Sequence, residues 1–117
     1  EGTNDYQTVL DHGHTSAGGI MLQSTHTGRK WGLFGDVQTY PSYESTQATK
    51  GYWHHYAIVR NNNVVKLYRN GTETLSKNHT GSIGSTNTTA IGDVNTGAAY
   101  PAKGKISNLR VVKGTAL

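Results

Sequence analysis

The chain has no cysteine. Disulfides, zinc–thiolate sites and cysteine nucleophiles are therefore excluded, although the absence selects no compartment. It has no long apolar run, so no segment reads as a membrane span and no insertion into a bilayer is expected. Charge is sparse at 15% of residues, with 11 Lys and Arg against 7 Asp and Glu for a formal +4. The basic residues are scattered, and Lys103 and Lys105 come nearest to a cluster. Nucleic-acid binding needs a basic stripe with interleaved aromatics, and this chain does not carry one. Hydrophobic residues make up only 33% of the 117. That suffices for one domain with one modest core. No leader-like segment opens the chain, which starts on polar residues. Targeting is absent, was removed, or belongs to a longer parent protein.

A helical apolar period is missing as well; what is present is β pattern and turns. The stretch 51–70 is the centre of it. Tyr52-Trp53-His54-His55-Tyr56-Ala57-Ile58-Val59-Arg60 and Val64-Val65-Lys66-Leu67-Tyr68-Arg69 flank Asn61-Asn62-Asn63. Asparagine tolerates positive φ, so a hairpin with a three-residue loop is expected there. Asn70-Gly71 signals a second turn. Period two puts Trp53, His55, Ala57 and Val59 on one face and Tyr52, His54, Tyr56 and Ile58 on the other. Both faces carry large groups, which predicts a strand in the middle of a sheet, with Trp53 in the core.

Further strands are expected at 6–10, 20–25, 30–35, 72–76, 89–92 and 104–112, the last with Leu109 and Val111 on one side. Residues 36–50 and 93–101 read as loops, and 36–50 as a rim loop suited to binding. Roughly eight short strands with many Gly and Asn turns predict an all-β antiparallel sandwich. Neither an internal repeat nor a linker is visible, so residues 1–117 are expected to form one domain.

Several segments in this order carry a resemblance: Trp53-His54-His55-Tyr56-Ala57-Ile58-Val59-Arg60, Val65-Lys66-Leu67-Tyr68-Arg69-Asn70-Gly71, Ala90-Ile91-Gly92, and Gly104-Lys105-Ile106-Ser107-Asn108-Leu109-Arg110-Val111 with Lys113-Gly114-Thr115-Ala116-Leu117. Together they resemble the concanavalin A-like, laminin-G-type jelly-roll domains, most closely those of phage and bacterial surface proteins. The resemblance covers about the C-terminal two-thirds of the chain. It implies a two-sheet antiparallel jelly roll that binds carbohydrate or protein as part of a larger extracellular or virion protein, such as a phage tail component. Such domains usually begin with strands carrying an aromatic-rich Phe-x-x-Glu-x-Trp-like segment, and none precedes Tyr6. The first strands are then missing, reduced, or supplied by another segment.

The resemblance also tests for catalysis. Hydrolases of this fold place two glutamates around an aspartate, one as nucleophile and one as acid. Glu1, Glu44 and Glu73 are the only glutamates, and none has an aspartate two residues on, so no enzyme is expected. Sugar recognition needs flat aromatic faces and planar polar groups. Trp31, Tyr40, Tyr43 and Tyr100 are the candidate stacking residues, with His12, Asp36 and Asn95 as polar partners. Trp31 fits the core equally well. For metal, His12 and His14 share a side if extended but have no third ligand nearby in sequence. Laminin-G-type domains can hold calcium on a rim, which points to Asp93 and Asn95, with Asp36 behind them. Both also fit as ordinary turn residues. The expected role is a lectin-like, non-catalytic module for glycans at a cell or virion surface. The alternative is a structural domain that contacts neighbouring subunits.

Overall fold

The computed structural model describes residues 6–13, 18–25, 30–35, 38–84, 89–94 and 100–114. The architecture is all β, with no helix among the described residues. The strands are β1 (Thr8–His12), β2 (Ile20–Ser24), β3 (Trp31–Gly35), β4 (Gln38–Tyr43), β5 (Tyr56–Asn61), β6 (Val64–Arg69), β7 (Thr72–Asn78) and β8 (Thr89–Ile91). They form two antiparallel sheets, one of five strands in the order β4-β3-β2-β1-β8 and one of three in the order β5-β6-β7. This is the two-sheet sandwich the sequence pattern predicts. The core lies between the sheets, with Ile20, Leu22 and Leu33 from one and Val65 and Leu67 from the other. Each such side chain contributes about 1.5–3 kcal/mol when fully buried.

The three-stranded sheet is a meander built by asparagine turns. Asn61 pairs with Val64, so the first loop is two residues, Asn62-Asn63, rather than the expected three. Asn62 takes a φ of 53°. Arg69 pairs with Thr72 across Asn70-Gly71, with φ of 51° and 82°, the doubly left-handed turn that suits the strand twist. Asn70 also caps this end, its Oδ1 accepting from His55 N at 2.8 Å.

Five expectations change in the structure. The strand expected from Tyr52 starts only at Tyr56, and residues 51–55 are turn and irregular chain. Trp53, expected in the core, is 68% exposed. Among the described residues β5 lies at a sheet edge rather than in the middle. Its inner face is that of Tyr56 and Ile58, which pack on the core, rather than the Trp53 face, whose Ala57 and Val59 are half-buried. Part of the expected 36–50 loop is strand β4, which pairs with β3 through Gly32↔Tyr43 and Leu33↔Ser42. Gly32 is required there, because a Cβ at that position would run into Ser42 O and the Tyr43 ring. Finally, the expected last strand at 104–112 is not paired. Periodicity reports which residues could share a face, not whether a neighbouring strand is present to bond.

Candidate functional site

The most elaborate polar cluster centres on Glu44, just after β4. Its side chain is fully buried. Oε1 accepts from Trp31 N at 3.1 Å, Tyr56 Oη at 3.1 Å and Arg69 Nη1 at 3.2 Å. Oε2 is buried with no hydrogen-bond partner. Glu44 N donates to Trp31 O at 2.9 Å. Arg69 also reaches Thr46, through Oγ1 at 2.8 Å and the carbonyl at 3.3 Å. One carboxylate thus ties β3 and the end of β4 to β5 and β6 across the sandwich. Burial pushes the Tyr56 phenol well above its ordinary value. The arrangement holds the two sheets together. It leaves Glu44 no face open to a sugar bond, while Glu73 is ion-paired at the surface with Lys66 at 2.7 Å.

The residues expected to bind sugar fall on opposite sides of β2. Trp31 opens β3, half-buried against the core, its ring 5.8 Å from that of Tyr56. Tyr43 closes β4, and burial pushes its phenol up to about 12 from 10.0, with the nearby Tyr6 adding to the rise. Tyr40 belongs to β4, but its side chain lies outside the described residues, as do Asp36 and Asn95. On the other side, His12 Nδ1 sits 2.6 Å from Thr89 Oγ1. The Tyr100 ring meets Tyr6 edge-on at 5.8 Å. Asp93 Oδ1 accepts from Val94 N at 2.8 Å and Tyr100 N at 2.9 Å, which is the bonding of a turn residue. No group of three His, Asp or Glu suited to a metal occurs among the described residues.

A different feature stands out on the inner face of the five-stranded sheet. Residues directly opposite on neighbouring strands share a face. Leu33, Leu22, Leu10 and Ile91 form one such row from β3 to β8. Leu33 is fully buried, Leu22 is buried, Leu10 is half-buried and Ile91 is 46% exposed. The parallel row runs from buried Ile20 to half-buried His12 to exposed Thr89. Cover by the second sheet runs out towards β8. Five strands face three, and β7 approaches β4 at the far side. Among the described residues the shortfall therefore lies over β1 and β8.

The C-terminal run borders this gap. Ala102 N donates to Gly92 O at 2.8 Å, Thr8 bridges Pro101, and Ile106 lies beside Gly92. Beyond that the run is exposed, including Leu109, Val112 and Val111, the last at 79%. Tyr52 and Trp53, just before β5, are exposed too. Sequence reasoning missed Glu44, because a lone carboxylate in a polar stretch gives no sign of its partners. The alternation of 104–112 was visible, but its exposure was not.

Comparison with known proteins assigns the class. Residues 1–117 match the laminin-G family of the Concanavalin A-like lectin/glucanases superfamily, and the chain belongs to that family. No curated protein matches it. Among solved structures it is similar to residues 221–444 of an S-layer domain-containing protein from Clostridium thermocellum. That likeness has 20% identity and a TM-score of 0.49, and it covers 100% of this chain and 61% of the other. The chain thus spans about three-fifths of that structure. No described helix is long and apolar enough to cross a membrane.

Proposed function

We propose that this chain is a non-catalytic interaction module of a larger extracellular or virion assembly. It holds a neighbouring subunit through the open side of its sandwich. The observation that supports this reading is the fall in cover along Leu33, Leu22, Leu10 and Ile91, together with the exposure of Leu109 and Val111. Apolar surface left exposed beside a core marks an interaction site. A second reading, glycan binding at a cell surface, is favoured by one feature. Tyr52 and Trp53 are 75% and 68% exposed beside His54, His55 and Asn70. An open indole next to planar polar groups suits a sugar ring. Calcium at Asp93 and Asn95 belongs to this second reading.

Two measurements on the purified domain decide between them. One is binding of an apolar fluorescent dye, ANS. The other is a glycan array run with calcium and with chelator. The interaction reading expects strong dye binding that is lost in the Ile91→Lys/Val111→Lys variant, and an array without hits. Array hits removed by Trp53→Ala, from a domain that binds no dye, would overturn it.

A further inference from the structure

A short hydrogen-bond network ties the strap 49–55 to the Asn70-Gly71 turn, and backbone groups fix its chemistry. His55 N donates to Asn70 Oδ1 at 2.8 Å. A backbone N–H can only donate, so the Asn70 carboxamide presents its oxygen there. Its Nδ2 is then turned towards His54 Nδ1, at 3.2 Å. At the other end of the ring, His54 Nε2 lies 2.7 Å from Thr49 O. A carbonyl can only accept, so Nε2 carries the ring proton. Nδ1 is left as the acceptor for the Asn70 amide. Together these bonds require one species, neutral His54 in its Nε2–H tautomer.

A second proton breaks this order. Protonated at Nδ1, the ring offers donors only, and the Asn70 NH2 loses its acceptor. Turning the carboxamide over brings Oδ1 to the Nδ1–H. That bond is charge-assisted, as is the bond to Thr49 O, so both are stronger than their neutral counterparts. The cost falls on His55, whose N–H then meets the NH2 of Asn70, donor against donor. One amide oxygen has two possible donors, and the charge on His54 decides between them.

The charges nearby do not preset that choice. Thr49 and Asn70 do not titrate. The ionisable groups of the strap are Lys50, Tyr52 and His55, none of them a carboxylate. On the adjoining strands, Arg69 and Tyr56 are bonded to Glu44, and Glu73 is paired with Lys66 at 2.7 Å. Tyr68 is the other titratable group at this end of β6. Among the described residues no carboxylate bonds the His54 ring.

We propose that His54 and Asn70 form a proton-operated switch for the strap, with the Asn70 carboxamide as its two-state element. At neutral pH Asn70 holds His55 N and fixes the strap to the turn. When His54 takes up a proton, the carboxamide turns to it and releases His55 N. The hold on His55 is therefore present above the range in which histidine titrates, and it is lost as pH falls through that range. Asn70 N donates to His55 O at 2.8 Å without using the carboxamide, so the turn itself persists. Tyr52 and Trp53 ride on the strap, and their placement follows the charge on His54. The switch does not depend on whether the partner is a subunit or a glycan.

The test follows amide hydrogen exchange at His55 in the purified chain at about pH 7.5 and about pH 5, on either side of the ordinary histidine range. Rates are expressed as protection factors, which removes the intrinsic pH dependence of exchange. Side-chain nitrogen NMR of His54 is recorded alongside. At the higher pH the expected spectrum is that of the Nε2–H tautomer. At the lower pH both ring nitrogens carry protons, and His55 protection falls about threefold or more, while protection at Asn70 holds. His54→Ala should remove the pH dependence at His55. Asn70→Asp should remove it by another route, because a carboxylate accepts from His55 N and from His54 together and keeps protection high at both pH values. The Nδ1–H tautomer at the higher pH, equal His55 protection at both, or a fall that survives in His54→Ala would overturn the switch.

Discussion

Removing the Glu44 carboxylate should cost the domain a large share of its stability. Glu44→Ala takes away the acceptor shared by Trp31 N, Tyr56 Oη and Arg69 Nη1. The Arg69 side chain is only 15% exposed, so its charge is left nearly buried without a counter-ion. Breaking a buried pair from one side costs about 3–5 kcal/mol. The Trp31 N–H and the Tyr56 hydroxyl add to the penalty if no water reaches them, at about 1–3 kcal/mol for each buried group left unpaired. The residual exposure of Arg69 works the other way. About 4 kcal/mol is therefore the expected loss, within a total of about 5–15 for a domain. Urea denaturation followed by tryptophan fluorescence reads it as a midpoint shift of about 2 M, taking a slope of about 2 kcal/mol per M. The double variant Glu44→Leu/Arg69→Met removes both charges, and it should recover much of the loss. A Glu44→Ala cost under about 1 kcal/mol, or a double variant no better than the sum of the singles, would refute the view that this carboxylate joins the sheets.

Three further outcomes follow from the same geometry. Stability should fall as pH rises from about 10 towards 12. Tyr43 keeps its proton in the folded state up to about 12 while the unfolded chain loses it near 10.0, so the unfolded state binds fewer protons across that window. Alkaline titration of the melting temperature should show this slope, and Tyr43→Phe should reduce it, leaving the part that the raised Tyr56 phenol supplies; an unchanged slope would rule Tyr43 out. Gly32→Ala should cost about 1–3 kcal/mol or more, since its Cβ meets the Ser42 carbonyl and the Tyr43 ring. A thermal melt equal to the parent's would contradict that contact. Trp53→Ala should change stability by less than about 0.5 kcal/mol, because the indole is 68% exposed. A loss of several kcal/mol would instead place Trp53 in the core, as its alternation first suggested.

The sequence by itself determined most of the elements, β4 and the unpaired run 104–112 excepted. Alternation around Ile20 to Leu22, Leu33 and Val65 to Leu67 named the strands whose side chains form the core. Asn62 and Asn70-Gly71 named the turns, because few residues accept positive φ at low cost. The absence of cysteine excluded disulfides, zinc–thiolate sites and cysteine nucleophiles before any fold was drawn. Tertiary structure decided everything that depends on a neighbour. Glu44 is unremarkable in sequence, and only the meeting of β3, β5 and β6 makes it a buried hub. Trp53, Leu109 and Val111 have the composition of a core, but they are exposed because nothing described packs over them. The same holds for β5, which reads as a central strand and among the described residues stands at an edge. Period and propensity are local properties of the chain, whereas burial is a property of pairs of surfaces. A sequence specifies the face that wants cover, and only the assembled fold shows whether that face has received it.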